Sequence, residues 1–128
     1  MRVFRVQDWR GRGPFKPGLS ERWLDRELAP GREYLPDFMS EFGLDVLVQL
    51  GQPGEFYGCA VRTLPELDRW FSPTERVRLE FLGYNIVSLR AHRIVAESPN
   101  QMLIARRKPF KAGAVILPWR ALAQSPFA

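Results

Sequence analysis

Few residues in this sequence could do chemistry, and they complete few of the standard catalytic sets. A hydrolytic triad needs a nucleophile, a base and an orienting group brought together in space. His92 is the one histidine available as a base, in Arg90-Ala91-His92-Arg93, and no nucleophile motif accompanies it, so it reads as structural. Cys59 is the one cysteine, in Tyr57-Gly58-Cys59-Ala60; its only cation close in sequence is Arg62, and a small apolar residue in a strand usually belongs to the core. A single cysteine excludes an internal disulfide, and with one histidine it makes a metal site improbable. Gly11-Arg12-Gly13 and Gly51-Gln52-Pro53-Gly54 are too short to mark phosphate loops and read as turns. The late cluster Arg106, Arg107, Lys108 and Lys111 is either a phosphate-binding edge or a solvated strand end.

What remains is an order of parts. A cation lies on the first strand, Arg5 in Val3-Phe4-Arg5-Val6. An aromatic and small-residue strand, Phe56-Tyr57-Gly58-Cys59-Ala60-Val61, leads through Arg62 to Thr63 at a helix start. A polar segment, Glu97-Ser98-Pro99-Asn100-Gln101, opens a late apolar run, Met102-Leu103-Ile104. This order, from Met1 to Arg106, resembles the ADP-ribosyltransferase superfamily. The resemblance implies NAD as cofactor, with Arg5 holding the ribose or phosphate and Tyr57, Gly58 and Thr63 lining the nicotinamide pocket. It also implies an acidic group at Gln101 or Glu97 to stabilise the ribosyl cation, because breaking the nicotinamide-ribose bond develops positive charge. Gln101 stands where the family places Glu, and the middle segment lacks the family's Ser-Thr-Ser triplet.

The stretch Tyr57 to Arg107 also resembles small proteins carried by phages and prophages, through its Trp70-Phe71-Ser72-Pro73 junction, Gly83-Tyr84 and Gln101. That likeness implies a host protein or protein complex as partner, to be modified or simply occupied. Two competing readings are a non-enzymatic inhibitor acting through a basic and aromatic surface, and a nucleic-acid-binding module using Arg106, Arg107, Lys108 and Lys111.

The elements that must position these residues follow from punctuation and periodicity. Val3 to Val6 predicts a strand, broken by the Gly, Pro and Arg-rich stretch from Arg10 to Gly18. Ser20 precedes a short helix over Glu21 to Leu28, and Pro36 to Phe42 predicts one more helical turn. Leu44 to Leu50 fits either a buried strand or a helix end. Phe56 to Val61 predicts a strand, and Thr63-Leu64-Pro65-Glu66 is a capping box, in which the Thr hydroxyl accepts from the third backbone N–H. Ser72-Pro73-Thr74-Glu75 repeats that signal before Val77, Leu79 and Leu82, and Gly83 stops the helix. Tyr84 to Leu89 predicts a strand that Arg93 to Ala96 either extends or follows, and Ser98-Pro99-Asn100 turns the chain into Gln101 to Ala105, so that an antiparallel pair is expected. Ala114 to Leu117 and Trp119 pack back on the body.

The expected fold is therefore α+β: a small mixed, mainly antiparallel sheet with short helices packed on it, in one domain spanning residues 1–128. The 45% hydrophobic and 26% charged composition is that of an ordinary globular domain. No apolar run approaches the roughly 20 residues of a membrane span, and the charged start MRVFRVQDWR lacks an apolar export block, so the expected location is cytoplasmic. The net charge of +5 invites a nucleic-acid reading, but arginine supplies sixteen of the nineteen cations, a bias that a GC-rich genome produces by itself.

Overall fold

A computed structural model of the chain describes residues 1–13, 50, 52–71, 73–99 and 101–122. The segments expected to be helical at 21–28 and 36–42, residues 44–49 and the cap at Ser72 lie outside the described residues.

The first strand, β1 (Arg2–Gln7), alternates strictly: Val3, Arg5 and Gln7 face one way, Phe4 and Val6 the other. It pairs antiparallel with β3 (Asn85–Arg90), and β3 pairs with the short edge strand β6 (Val115–Leu117). A second sheet is built from β2 (Phe56–Ala60), β5 (Met102–Arg106) and β4 (Arg93–Glu97), in the order β2-β5-β4 and again antiparallel. The single expected sheet is thus two three-stranded sheets. They are stitched at one point, where Phe4 and Val61 exchange two backbone hydrogen bonds of 2.9 Å.

Between the stitched sheets lies one hydrophobic core, in which Val3, Val87 and Leu89 meet Ala60, Met102, Ile104 and Phe110. A second core forms on the other face of β1 and β3. There Val6 and Ile86 pack against Leu67, Trp70, Phe71 and Leu79 from the helical layer. Burying each large side chain contributes about 1.5–3 kcal/mol, which is what holds helices too short to persist alone.

Helix α1 (Leu64–Asp68) is capped as expected, with the Thr63 hydroxyl accepting from the Glu66 N–H at 3.3 Å. Glu66 reaches back to the N–H of Arg62, one residue beyond the usual position. Helix α2 (Pro73–Phe81) ends at Gly83, whose φ of 90° permits the reversal. There the N–H of Tyr84 bonds Leu79 O and that of Gly83 bonds Glu80 O, a Schellman closure. Of Val77, Leu79 and Leu82 only Leu79 is buried. Residues two apart on a helix are about 200° apart around the axis, so Val77 cannot share the inner face with Leu79.

Candidate functional site

Arg5 is carried by the middle of β1 into the gap between the sheets, where it is 9% exposed. Its guanidinium lies 4.4 Å from the centre of the Phe110 ring, a favourable cation-aromatic contact. It donates from Nη1 to Cys59 O at 3.3 Å and from Nη2 to Gly11 O at 3.4 Å, both long bonds. Its Nε–H has no partner, and among the described residues no carboxylate pairs with it. Burial pulls its pKa down to about 10, opposed first by the neighbouring Cys59, while the positive charge of Arg106 lowers it further and Asp8 raises it slightly. The group therefore stays charged at neutral pH while being incompletely solvated by protein.

Glycines make this position possible. A Cβ on Gly58 would collide with Arg5 Nη1 and stand 2.8 Å from Phe110 Cζ, so only glycine fits beneath the guanidinium. Asp8 folds the following loop: its carboxylate accepts from the N–H groups of Arg10 and Arg12 at 2.9 Å, and its backbone bonds Gly11 and Arg12. Gly11, at φ 85°, then lies against Lys111 N and Phe110. That turn brings the Gly11 carbonyl to Arg5. Beside it Gln7 donates to Phe110 O at 2.8 Å and leaves its own Oε1 without a partner.

The other expected site residues fall into separate places. Tyr57, one residue from Gly58, faces the opposite side of β2; its hydroxyl donates to Glu55 at 2.9 Å and accepts from the Gln52 N–H at 2.8 Å. Thr63 is occupied as the α1 cap. Glu97 ends β4 and is held by Arg62, both side chains more than 40% exposed. Gln101 precedes β5 and closes the β4–β5 turn through bonds with Ser98. It is buried, but strand alternation directs its side chain to the face opposite Met102 and Ile104, which are the residues that pack towards the Arg5 gap. The structure brings Arg5 and Gly58 together and brings neither Glu97 nor Gln101 to them.

No family model, no curated protein and no solved structure matches the chain.

The late basic cluster also divides. Arg106 is 2% exposed and points into the gap, its guanidinium 5.5 Å from the centre of the Phe110 ring, where it donates to the carbonyls of Arg90, Pro109 and Ala112 at 2.8–3.0 Å. Burial lowers its pKa. Arg107, Lys108 and Lys111 are exposed.

One cleft of about 920 Å³ opens at the end of the second sheet where β2 and β4 begin and β5 ends. It is lined by Gln52, Pro53, Gly54, Glu55, His92, Arg93 and Arg107, of which the sequence marks only Arg107 as a binding candidate, His92 reading as structural and Gln52 to Gly54 as a turn. Among the described residues no group of three or more His, Cys, Asp or Glu could hold a metal ion, and no helix is long and apolar enough to cross a membrane. The signal for Phe110 and Gly11 in the sequence is slight: Asp8-x-x-Gly11 has turn spacing, but nothing marks Phe110 as the ring under Arg5.

Proposed function

We propose that this chain binds NAD or a related dinucleotide through Arg5, as the ADP-ribosyltransferase resemblance implies, and that binding rather than group transfer is its principal activity. The observation that carries this reading is the state of Arg5: a buried cation with an unused N–H, no carboxylate partner among the described residues, and glycines at 58, 11 and 13 around it. A protein has little structural reason to bury a charge so incompletely bonded, because an uncompensated buried ion costs stability. A pyrophosphate offers what the site lacks, several charged acceptors that a guanidinium can bind in pairs.

The weak half of the resemblance is the acid. Gln101 is neutral and Glu97 is engaged by Arg62 on an exposed surface, so neither supports a ribosyl cation efficiently. The reading is tested by calorimetric titration with NAD and with ADP-ribose, alongside labelled-NAD transfer in host lysate. Binding of both ligands, about tenfold or more weaker in Arg5→Met, supports it, since a charged hydrogen bond contributes about 1.5–3 kcal/mol. Absence of binding by either ligand would reject it.

Exposed Arg107, Lys108 and Lys111 favour a second reading, an acidic protein or nucleic-acid partner on that surface. Such binding would weaken steeply with salt and on neutralising these three residues.

A further inference from the structure

The cleft at the end of the second sheet has its own receptor chemistry, separate from Arg5. Tyr57, Ala105 and Arg93 stand in one row across β2, β5 and β4. Ala105, with only a methyl group, leaves room above the sheet for the flanking long side chains to be linked. Glu55 makes that link: its carboxylate accepts from Arg93 Nε at 2.9 Å and Nη2 at 2.8 Å, and from the Tyr57 hydroxyl at 2.9 Å. Tyr57 is fixed in turn by the Gln52 N–H. The fork of two bonds uses one edge of the Arg93 guanidinium and locks its plane.

The same geometry leaves donors over. Among the described residues, the Nη1 group of Arg93 makes no hydrogen bond, so its N–H groups remain beside the cleft. Arg107 is oriented by a different device, donating from Nε to His92 Nε2 at 3.1 Å, and neither of its Nη groups has a partner among the described residues. Because Glu55 cancels one charge, Arg107 leaves the lining with a net positive charge. Two guanidinium groups, each tethered through its Nε, with spare Nη donors at one concave wall, suit a tetrahedral dianion better than a carboxylate, which needs only one fork. The cleft is also wider than a phosphate alone, leaving space for the group that carries it.

We propose that the cleft formed by the Gln52–Gly54 turn, His92, Arg93 and Arg107 binds the phosphate of a small phosphorylated molecule, with Arg93 and Arg107 as its donors and Glu55 as the residue that positions Arg93. This site lies on the Tyr57 face of the second sheet, whereas Arg5 lies on the Gly58 face, so the two sites stand or fall separately.

The test is a titration of the whole chain with inorganic phosphate at constant ionic strength, following backbone amide shifts, with chloride as the control anion. Saturable shifts at Gly54, Arg93 and Arg107 are expected. Arg107→Gln should weaken phosphate at least tenfold, Glu55→Gln should weaken it several-fold although it removes a negative charge, and Arg120→Gln, an exposed cation elsewhere, should change nothing. The Glu55 variant separates positioning from charge, since a purely electrostatic surface would bind phosphate more tightly without that carboxylate. Shifts reproduced by chloride, equal weakening by Arg107→Gln and Arg120→Gln, or tighter binding in Glu55→Gln would each overturn the proposal. Phosphate binding that persists unchanged in Arg5→Met confirms that this is not the dinucleotide site.

Discussion

Arg5 and Arg106 lie near one aromatic ring, Phe110, in the same gap between the two sheets, yet the fold treats them in opposite ways. Arg106 gives Nε, Nη1 and Nη2 to three backbone carbonyls at 2.8–3.0 Å and so ties the end of β5 to the loop that follows it. Arg5 makes two long bonds and leaves Nε unused. Burial lowers the pKa of both groups. The difference teaches that burial alone does not mark an arginine as functional. What separates a structural cation from a candidate binding one is how many of its donors the protein itself satisfies.

The largest effect is expected at the arginine whose donors are all used. Arg106→Met leaves the carbonyls of Arg90, Pro109 and Ala112 without their donor, and stability measured by urea unfolding should fall by about 3 kcal/mol or more. A loss below about 1 kcal/mol would place Arg106 with Arg5 and remove the contrast.

Next in size is the floor beneath Arg5. Gly58→Ala forces a methyl group against Arg5 Nη1 and the Phe110 ring, and overpacking of this kind costs about 1–3 kcal/mol. The same variant should weaken NAD binding, because the displaced guanidinium no longer holds its place. Unchanged stability together with unchanged binding would show that the gap is looser than its distances indicate.

The smallest effect sharpens a third arginine, Arg93, whose partner is a carboxylate. Arg93 holds the Glu55 carboxyl down to about 2 from the ordinary 4.5, helped by the Tyr57 hydroxyl. As pH falls, the unfolded chain therefore takes up this proton first. The stability that Glu55 contributes is complete above pH 4.5 and is lost as pH falls towards 2. Acid titrations of the parent protein and Glu55→Gln should differ above that range and converge at its lower end; parallel curves would contradict the assignment.

Much of the frame was legible in the residues. Thr63, Pro65 and Glu66 announce α1, and Gly83 announces the end of α2, because caps are local: a side chain bonds a backbone group a few residues away. Strands β1 to β6 carry apolar runs between turn residues, and each expected strand among the described residues is present. The division into two sheets was not legible, since it depends on which strands pair over long sequence distances, and the Phe4–Val61 bridge that joins the sheets is likewise encoded by no local pattern. The same limit applies to the candidate site. Arg5 and Gly58 meet in the structure, as the order of segments implies, but Phe110 and Gly11 join them only through folding. The late basic run looked uniform in sequence, although strand alternation and a tight loop bury Arg106 and leave Arg107, Lys108 and Lys111 outside. Likewise Tyr57 and Gly58 are adjacent residues that face opposite sides of one strand, and so belong to different sites.

If Arg5 is retained for a ligand and not for the fold, thermal unfolding of the parent protein and Arg5→Met with and without NAD will show it. Replacing an incompletely bonded buried charge by an apolar side chain of similar length should leave the ligand-free variant as stable as the parent, or more stable by about 1 kcal/mol. NAD should raise the melting temperature of the parent and leave that of the variant unmoved. A variant that is destabilised as severely as Arg106→Met, or one that NAD stabilises as well as the parent, would contradict the claim.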